Sequence, residues 1–391
     1  MSDTLSSAAL MAHVRALADG IGPRPAGTPR EARAHQYVRE ALAGLGITDV
    51  ETLAFRAPDT WGYSIILPAA AALVGNLLPG RRGRLAGGLV SLLATYALWQ
   101  AMGARRPVIN AFVPDGPSAT QVVRIPARSA RRHTLVFIGH VDANKHRLTF
   151  SPAFKRALVS SGALGLSAVA LNGVIQLVRA LGPRRAFGLD YRLTLLAMAG
   201  SLGLLLADEQ GPWIDGANDN ASAVACLLGL AGYFQSHLLE HTEVWLAFTG
   251  AEEVGGLGTH ALLDAYGDRL REAYFLDFEM VGAGDLAYVT RHSGLSGFDA
   301  YTPDAESAAL AAETAQRHPE LRVQGAPMTI LEEVAVLRSR GYRGLCLVGV
   351  GDDGFLVNWH QTSDTSAHIV PETLERAARF AVAYAQAVDS R

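Results

Sequence analysis

The stretch from His133 to Asp142 reads HTLVFIGHVD, an apolar run closed by a glycine, a histidine and an acid. Continuous Leu, Val, Phe and Ile without polar alternation predicts a strand covered on both faces. Three further stretches are built the same way: EVWLAFTGAEE from Glu243, AYFLDFEMVG from Ala273 and GLCLVGVG from Gly344. Longer helical patterns accompany them, among them ASAVACLLGLAGYFQSHLL from Ala221, LGTHALLDAYGDRLREA from Leu257, ESAALAAETAQRHP from Glu306 and PETLERAARFAVAYAQAVD from Pro371. Strands alternating with helices predict an α/β fold with a mostly parallel mixed sheet covered by helices on both faces. In such sheets reactive groups collect beyond the C-terminal strand ends, and the polar residues here cluster at those ends.

The whole chain has 391 residues, 49% of them hydrophobic and only 18% charged, with a formal net charge of -3. An ordinary soluble domain is about 25% charged. So apolar a chain offsets its ordering entropy and is not disordered. The charge balance and the lack of a long Lys/Arg run exclude a basic nucleic-acid binder. Cys226 and Cys346 lie in apolar runs without a CxxC partner and read as small core residues. The first 20 residues predict an amphipathic helix with Ser2 to Thr4 as caps, and no secretory signal is legible there.

The apolar surplus is concentrated in four charge-free blocks: Tyr63 to Leu78, Leu85 to Met102, Ala157 to Val178 and Leu193 to Ala207. A bilayer core takes about 20 apolar residues per helix. The third block meets that length, the second just does, and the first and fourth need flanking residues. A soluble core helix keeps a polar stripe, which these blocks lack. Gly162, Gly165, Gly173, Gly200 and Gly203 suit close helix packing in lipid. The expectation is two inserted hairpins of four hydrophobic helices, in an integral, multi-pass membrane protein. A catalytic part then spans 1–61, 104–156 and 208–391, with hairpins at 62–103 and 157–207.

Arg81, Arg82, Arg84, Arg179, Arg184, Arg185 and Arg192 at the hairpin tips point to cytoplasmic tips. Arg56, Arg105, Arg106, Lys155 and Arg156 on the opposite flanks weaken that bias. A charged N-terminal segment without a signal argues instead for a cytoplasmic catalytic part. The two arguments conflict, and the reading leans to the cytoplasm. Expected partners are a peptide substrate, the lipid membrane, and either further copies or another membrane protein packed on the hairpins; nucleic acid is not among them.

Five places put His, Asp or Glu in or just after strand-like runs or the loops beside them: His140 and Asp142 in FIGHVDANK, Asp219 in DGANDNASA, Glu252 and Glu253 in FTGAEEVGG, Asp277 and Glu279 in FLDFEMVG, and His360 in NWHQTSDT. Any one is usually structural. Together they form a nitrogen and oxygen donor set suited to a pair of zinc ions.

HVD, DN, EE, EM and WHQTSDT in this order resemble the M28 zinc aminopeptidases, over the N-terminal helix, about Pro107 to Asp142, and Gly216 to the C-terminus. The resemblance implies two zinc ions: His140 and Glu279 on one, Glu253 and His360 on the other, and Asp219 bridging. It makes Glu252 the general base. Asp142, two residues from His140 on an extended segment, is placed to fix that ring's tautomer. One departure is Glu279 where the family usually has Asp, with Asp277 on the same strand face as the competing ligand. The other is the long gap between Asp142 and Asp219, filled by the second hairpin.

The implied function is a membrane-anchored zinc aminopeptidase. Glu279 keeps a zinc carboxypeptidase or N-acyl amino acid deacylase in view, and a catalytically silent membrane scaffold is the non-enzymatic alternative. Glutaminyl cyclase chemistry fits less well, because His140 favours a second metal. His146 and His260 read as surface or supporting groups, Asp364 as an orienter of the His360 loop, and Trp213 and Trp359 as pocket walls or packing. The second hairpin leaves and returns at the catalytic rim, so the active site is expected near the membrane surface.

Overall fold

The HTLVFIGHVD run forms a central strand of an eight-stranded sheet in the computed structural model, which describes residues 3–183 and 187–391. Along the chain come α1 (Ser7–Arg15), α2 (Pro29–Gly44), β1 (Glu51–Ala57), α3 (Gly62–Gly75), α4 (Gly80–Ala101), β2 (Gly116–Ile125), β3 (His133–His140), α5 (Leu158–Leu181) and α6 (Gly188–Glu209). Then follow α7 (Ser222–Ser236), β4 (Thr242–Thr249), α8 (Leu257–Tyr266), β5 (Tyr274–Glu279), β6 (Asp285–His292), α9 (Ala305–Arg317), β7 (Gln324–Met328), α10 (Glu333–Ser339), β8 (Leu345–Val350) and α11 (Pro371–Asp389). The strand order is β1-β2-β4-β3-β5-β8-β6-β7. Neighbours β4, β3, β5 and β8 run parallel, and antiparallel pairing joins β2 and β6 to the flanks of that block.

Alternation along β3 divides the core. Leu135 and Phe137 face a cluster built with α1, α2, α7 and α11, whereas Val136 and Ile138 face α8 and α10. Both faces are dry, so the four central strands read as unbroken apolar runs. The pairings His140↔Thr249 and Ile138↔Asp277 bring the C-terminal ends of β3, β4 and β5 level. Cys226 and Cys346 are buried free thiols.

The two inserts form a separate four-helix bundle. Ala72, Ala94, Leu98, Leu166, Val169 and Met198 are its core, and α6 closes back against α3. At Gly87 an added Cβ would stand 2.4 Å from the Gly75 carbonyl oxygen, and at Gly88 3.0 Å from that of Gly173. These glycines let α4 approach both neighbours closely. Gly200 and Gly203 face open space instead, so they do not serve the packing expected of them. Inside the bundle, Asn172 donates to Thr194 at 3.1 Å and Gln176 to Asn76 at 2.7 Å. The Gln176 bond puts both hairpin tips at one end of the bundle, with the sheet at the other.

The expectation of four membrane-length helices is corrected to two. Among the described residues, 155–181 and 188–209 are long and apolar enough to cross a membrane. Helix α3 has 14 residues with Pro68 inside, and α4 begins at Gly80, which takes Arg81, Arg82 and Arg84 into its first turns. Ser2, expected as a cap, and the tip residues Arg184 and Arg185 lie outside the described residues.

Bundle and sheet are joined through buried charge. Arg147, fully buried, donates to Glu209 at 2.8 Å and to Thr60 at 2.9 Å, while Lys145 reaches Glu209 at 2.6 Å. Asp208 accepts both the amide and the hydroxyl of Thr149. The ends of both inserts are thereby fixed to the loop that follows β3.

Candidate metal centre

His140 is the last residue of β3, Glu279 the last of β5, and Glu252 and Glu253 follow the end of β4. Asp219 lies in the turn before α7 and His360 in the loop after β8. Five loops and strand ends therefore meet at one sheet edge. Gly216 opens the Asp219 turn at φ +60°, where an added Cβ would meet the Asp219 carbonyl at 2.4 Å. Ala251, Met280 and His360, each beside or within the donor set, also have positive φ. Such backbone costs about 1–2 kcal/mol per non-glycine residue and persists where the surroundings enforce it.

Asp219 stands between the two histidines. Its Oδ1 lies 3.4 Å from His140 Nε2, and its Oδ2 lies 3.2 Å from His360 Nε2. Glu279 Oε2 is 3.4 Å from His140 Nε2, and Glu253 Oε2 is 3.2 Å from His360 Nε2. Each imidazole thus faces Asp219 and one further carboxylate. Glu252 Oε2 is 3.8 Å from His140 Nε2. Asp277, the competing candidate, is one pleat deeper, grouped with Glu332 and Cys346. It does not reach either histidine cluster.

Supporting groups hold this arrangement. The Asp142 carboxylate accepts the amides of Glu252 and Glu253 at 3.1 and 3.2 Å. Its backbone carbonyl is 3.0 Å from His140 Nδ1, whereas its carboxylate stands 3.5 Å away. Asp142 therefore orients the ring through its main chain and the β4 loop through its side chain. Asp364 accepts the amides of Asn218 and Asp219, so it fixes the Asp219 turn. Trp359 packs on Phe150 beside His360. Trp213 lies under the Lys145 ammonium, and His260, within α8, is buried 3.1 Å from the Ala104 carbonyl.

Three supporting residues escaped the sequence reading. Asn144 donates to Glu253 at 2.6 Å, held by Arg147, and Asn220 donates to Glu279 at 2.9 Å. Arg24, fully buried, binds the carbonyls of Val141, Asp215 and Gly216. The DANK and NDN contexts were available signals for the asparagines, but GPRPAG reads only as a loop.

Electrostatics mark the set as incomplete without a cation. Burial, reinforced by Glu333, Glu253 and Glu279 against His140, holds Glu252 well above the ordinary carboxylate range. Burial likewise lifts Glu279 to about 8. Burial opposes charge on Asp219 and on His360 too, yet the pairing of these opposite charges outweighs it, lowering Asp219 and raising His360 to about 9. His140 Nε2, Asp219 Oδ2 and Glu253 Oε1 are buried and make no hydrogen bond within the described residues. Orphaned nitrogen and oxygen donors among crowded acids fit a divalent metal.

A cavity of about 210 Å³ opens from Asp219, Glu252, Glu279 and His360 and continues between the inserted helices. Among the described residues its walls carry no lysine or arginine.

The sequence model of Peptidase family M28 matches residues 201–385. Among curated proteins, none matches the chain by sequence. In structure the chain is similar to BSAP, a zinc aminopeptidase from Bacillus subtilis, with a TM-score of 0.59 and 14% identity, covering 97% of this chain and 94% of that one. It is similar to an aminopeptidase from Aneurinibacillus sp. strain AM-1 (TM-score 0.58, 13% identity, 97% and 93% covered). It is also similar to a glutaminyl cyclase from an Acidobacteriales bacterium (TM-score 0.56, 14% identity, 100% and 95% covered). At such identities the likeness concerns the fold, a mixed sheet between helices as in zinc exopeptidases.

Proposed function

We propose that the protein, whose residues 201–385 match the sequence model of peptidase family M28, is a membrane-anchored, zinc-dependent aminopeptidase. The carrying observation is Asp219, with one oxygen turned to each of two histidines and each histidine facing its own glutamate. In this reading His140 and Glu279 hold one zinc, Glu253 and His360 the other, and Asp219 is shared. When bound, the ions polarise the scissile carbonyl and make water more acidic. Glu252 takes the proton of the attacking water and returns it to the leaving amine. Asp142 keeps Glu252 in reach through its amide.

An aminopeptidase is favoured over a carboxypeptidase or deacylase by the cavity lining. A free carboxylate on the substrate finds no cation there, whereas an ammonium finds Glu252, Glu279 and Asp219. Membrane anchoring rests on the bundle surface, where Leu77, Leu93, Leu189 and Leu196 are each more than two-thirds exposed, an apolar belt suited to lipid.

Metal analysis and hydrolysis of aminoacyl reporter amides by the detergent-purified protein test the proposal. About two zinc ions per chain, and a loss of about 10²- to 10⁴-fold in Glu252→Gln at unchanged zinc, are expected. A protein that binds no zinc overturns the enzymatic reading. Ammonia release from glutaminyl peptides without peptide cleavage overturns it in favour of cyclisation.

A further inference from the structure

The cavity has two unlike ends. One is the donor set; the other runs between the inserted helices, along Ile65 and Ala69 of α3, Leu166 and Val169 of α5, and Met198 and Leu205 of α6. Its contacts on α5 extend from Leu158 to Val169, about 16 Å at the helical rise of 1.5 Å per residue. A dry apolar cavity of roughly 150 Å³ already accepts a benzene-sized guest, and this one measures about 210 Å³.

Most polar groups along the bundle end are already used. Ser64 donates to Asn110 at 2.6 Å, Ser161 to the Leu158 carbonyl at 2.9 Å, and Asp208 is engaged by Thr149. A peptide backbone entering here would exchange water for walls that offer its amides few partners. A hydrocarbon chain leaves no such groups unpaired. The acids at the donor-set end suit an ammonium, so the part of a substrate that extends into the bundle is the leaving part.

Resting on the aminopeptidase reading, we propose that the bundle end of the cavity binds a long hydrocarbon chain carried by the leaving amine. The substrate class is an α-aminoacyl amide of a long-chain amine or lipid. One water breaks the amide C–N bond, with its hydroxyl going to the carbonyl carbon and its proton to the amine. The products are the free amino acid and the amine.

The test uses the full chain in a steroid-based detergent, which has no alkyl tail to compete, and leucyl n-alkylamides of two to ten carbons. KM is expected to fall about fourfold per added methylene, and Ser201→Phe, which narrows the cavity opposite Gly165, is expected to flatten that series. Cleavage with a KM independent of chain length overturns the proposal, as does an unchanged series in the variant. Should Ser201→Phe not fold, Ala69→Phe narrows the cavity from α3. Absence of cleavage at every length counts against the aminopeptidase reading. In that case n-butylamine and n-decylamine binding, followed by tryptophan fluorescence from Trp61 and Trp359 in the lining, decides the chain site without turnover. Equal dissociation constants overturn it, and a progressive tightening with length supports it.

Discussion

The sheet and the bundle bury opposite things. In the sheet part, large apolar side chains such as Phe137, Trp245 and Phe278 are fully enclosed, and the donor carboxylates and histidines gather at the C-terminal strand ends and the loops beside them. In the bundle, Leu93 and Leu196 point outward while Asn172 and Gln176 are enclosed and donate to Thr194 and Asn76. In the proposed membrane-anchored reading, the first is how a fold responds to water and the second how one responds to lipid. Their junction at Arg147 and Glu209 joins two structures and, in that reading, two solvents, and it lies one loop away from the donor set.

Breaking that junction has the largest expected effect on stability. Arg147→Met removes the bonds to Glu209, Thr60 and Asn144 while leaving Glu209 with Lys145 and the Thr60 hydroxyl. Severing a buried pair of this kind costs about 3 kcal/mol or more, read as a lower unfolding midpoint. Because Asn144 then loses its anchor beside Glu253, zinc affinity should fall as well, whereas an effect on stability alone would separate the junction from the site.

A second change sharpens the contrast between the surfaces. Leu196→Arg, on the exposed face of α6, should cost about 2.5–3.5 kcal/mol if that face meets hydrocarbon, measured by unfolding in lipid nanodiscs. Phe298→Arg, on the exposed surface of the sheet part, should stay within about 0.5 kcal/mol. Equal small effects at both positions would mean that α6 faces water.

Legibility in the sequence follows the same division. Strands β3, β4, β5 and β8 could be read because they are dry on both faces and so lack polar interruptions. Strands β1 and β7 are edge strands, and their exposed positions, such as Glu51, Arg56 and Gln324, dilute the signal. The donor residues were legible as strand-end acids and histidines, since that position is reserved for reactive groups. Arg24 was not, because its partners are carbonyls from segments far along the chain, and a carbonyl carries no residue identity. The charge-free blocks gave the bundle but not its helix limits, since α4 and α6 begin within the charged flanks at Gly80 and Gly188.

The smallest expected effect concerns acid stability, and it belongs to the sheet part. His260, in α8, is buried beside the Ala104 carbonyl, and that burial lowers its pKa from 6.5 to about 4. The unfolded chain therefore binds a proton between pH 6.5 and 4 that the folded chain refuses. This contribution to stability is complete above pH 6.5 and is lost as the pH falls toward 4, about 2 kcal/mol of it by pH 5. His260→Gln keeps a donor for Ala104 but removes the titration. Denaturant unfolding at pH 7 and pH 5 should show the variant losing less stability than the parent over that interval. Equal losses would mean that His260 is reached by water, and that the face of the sheet under α8 is wetter than the apolar cluster around it implies.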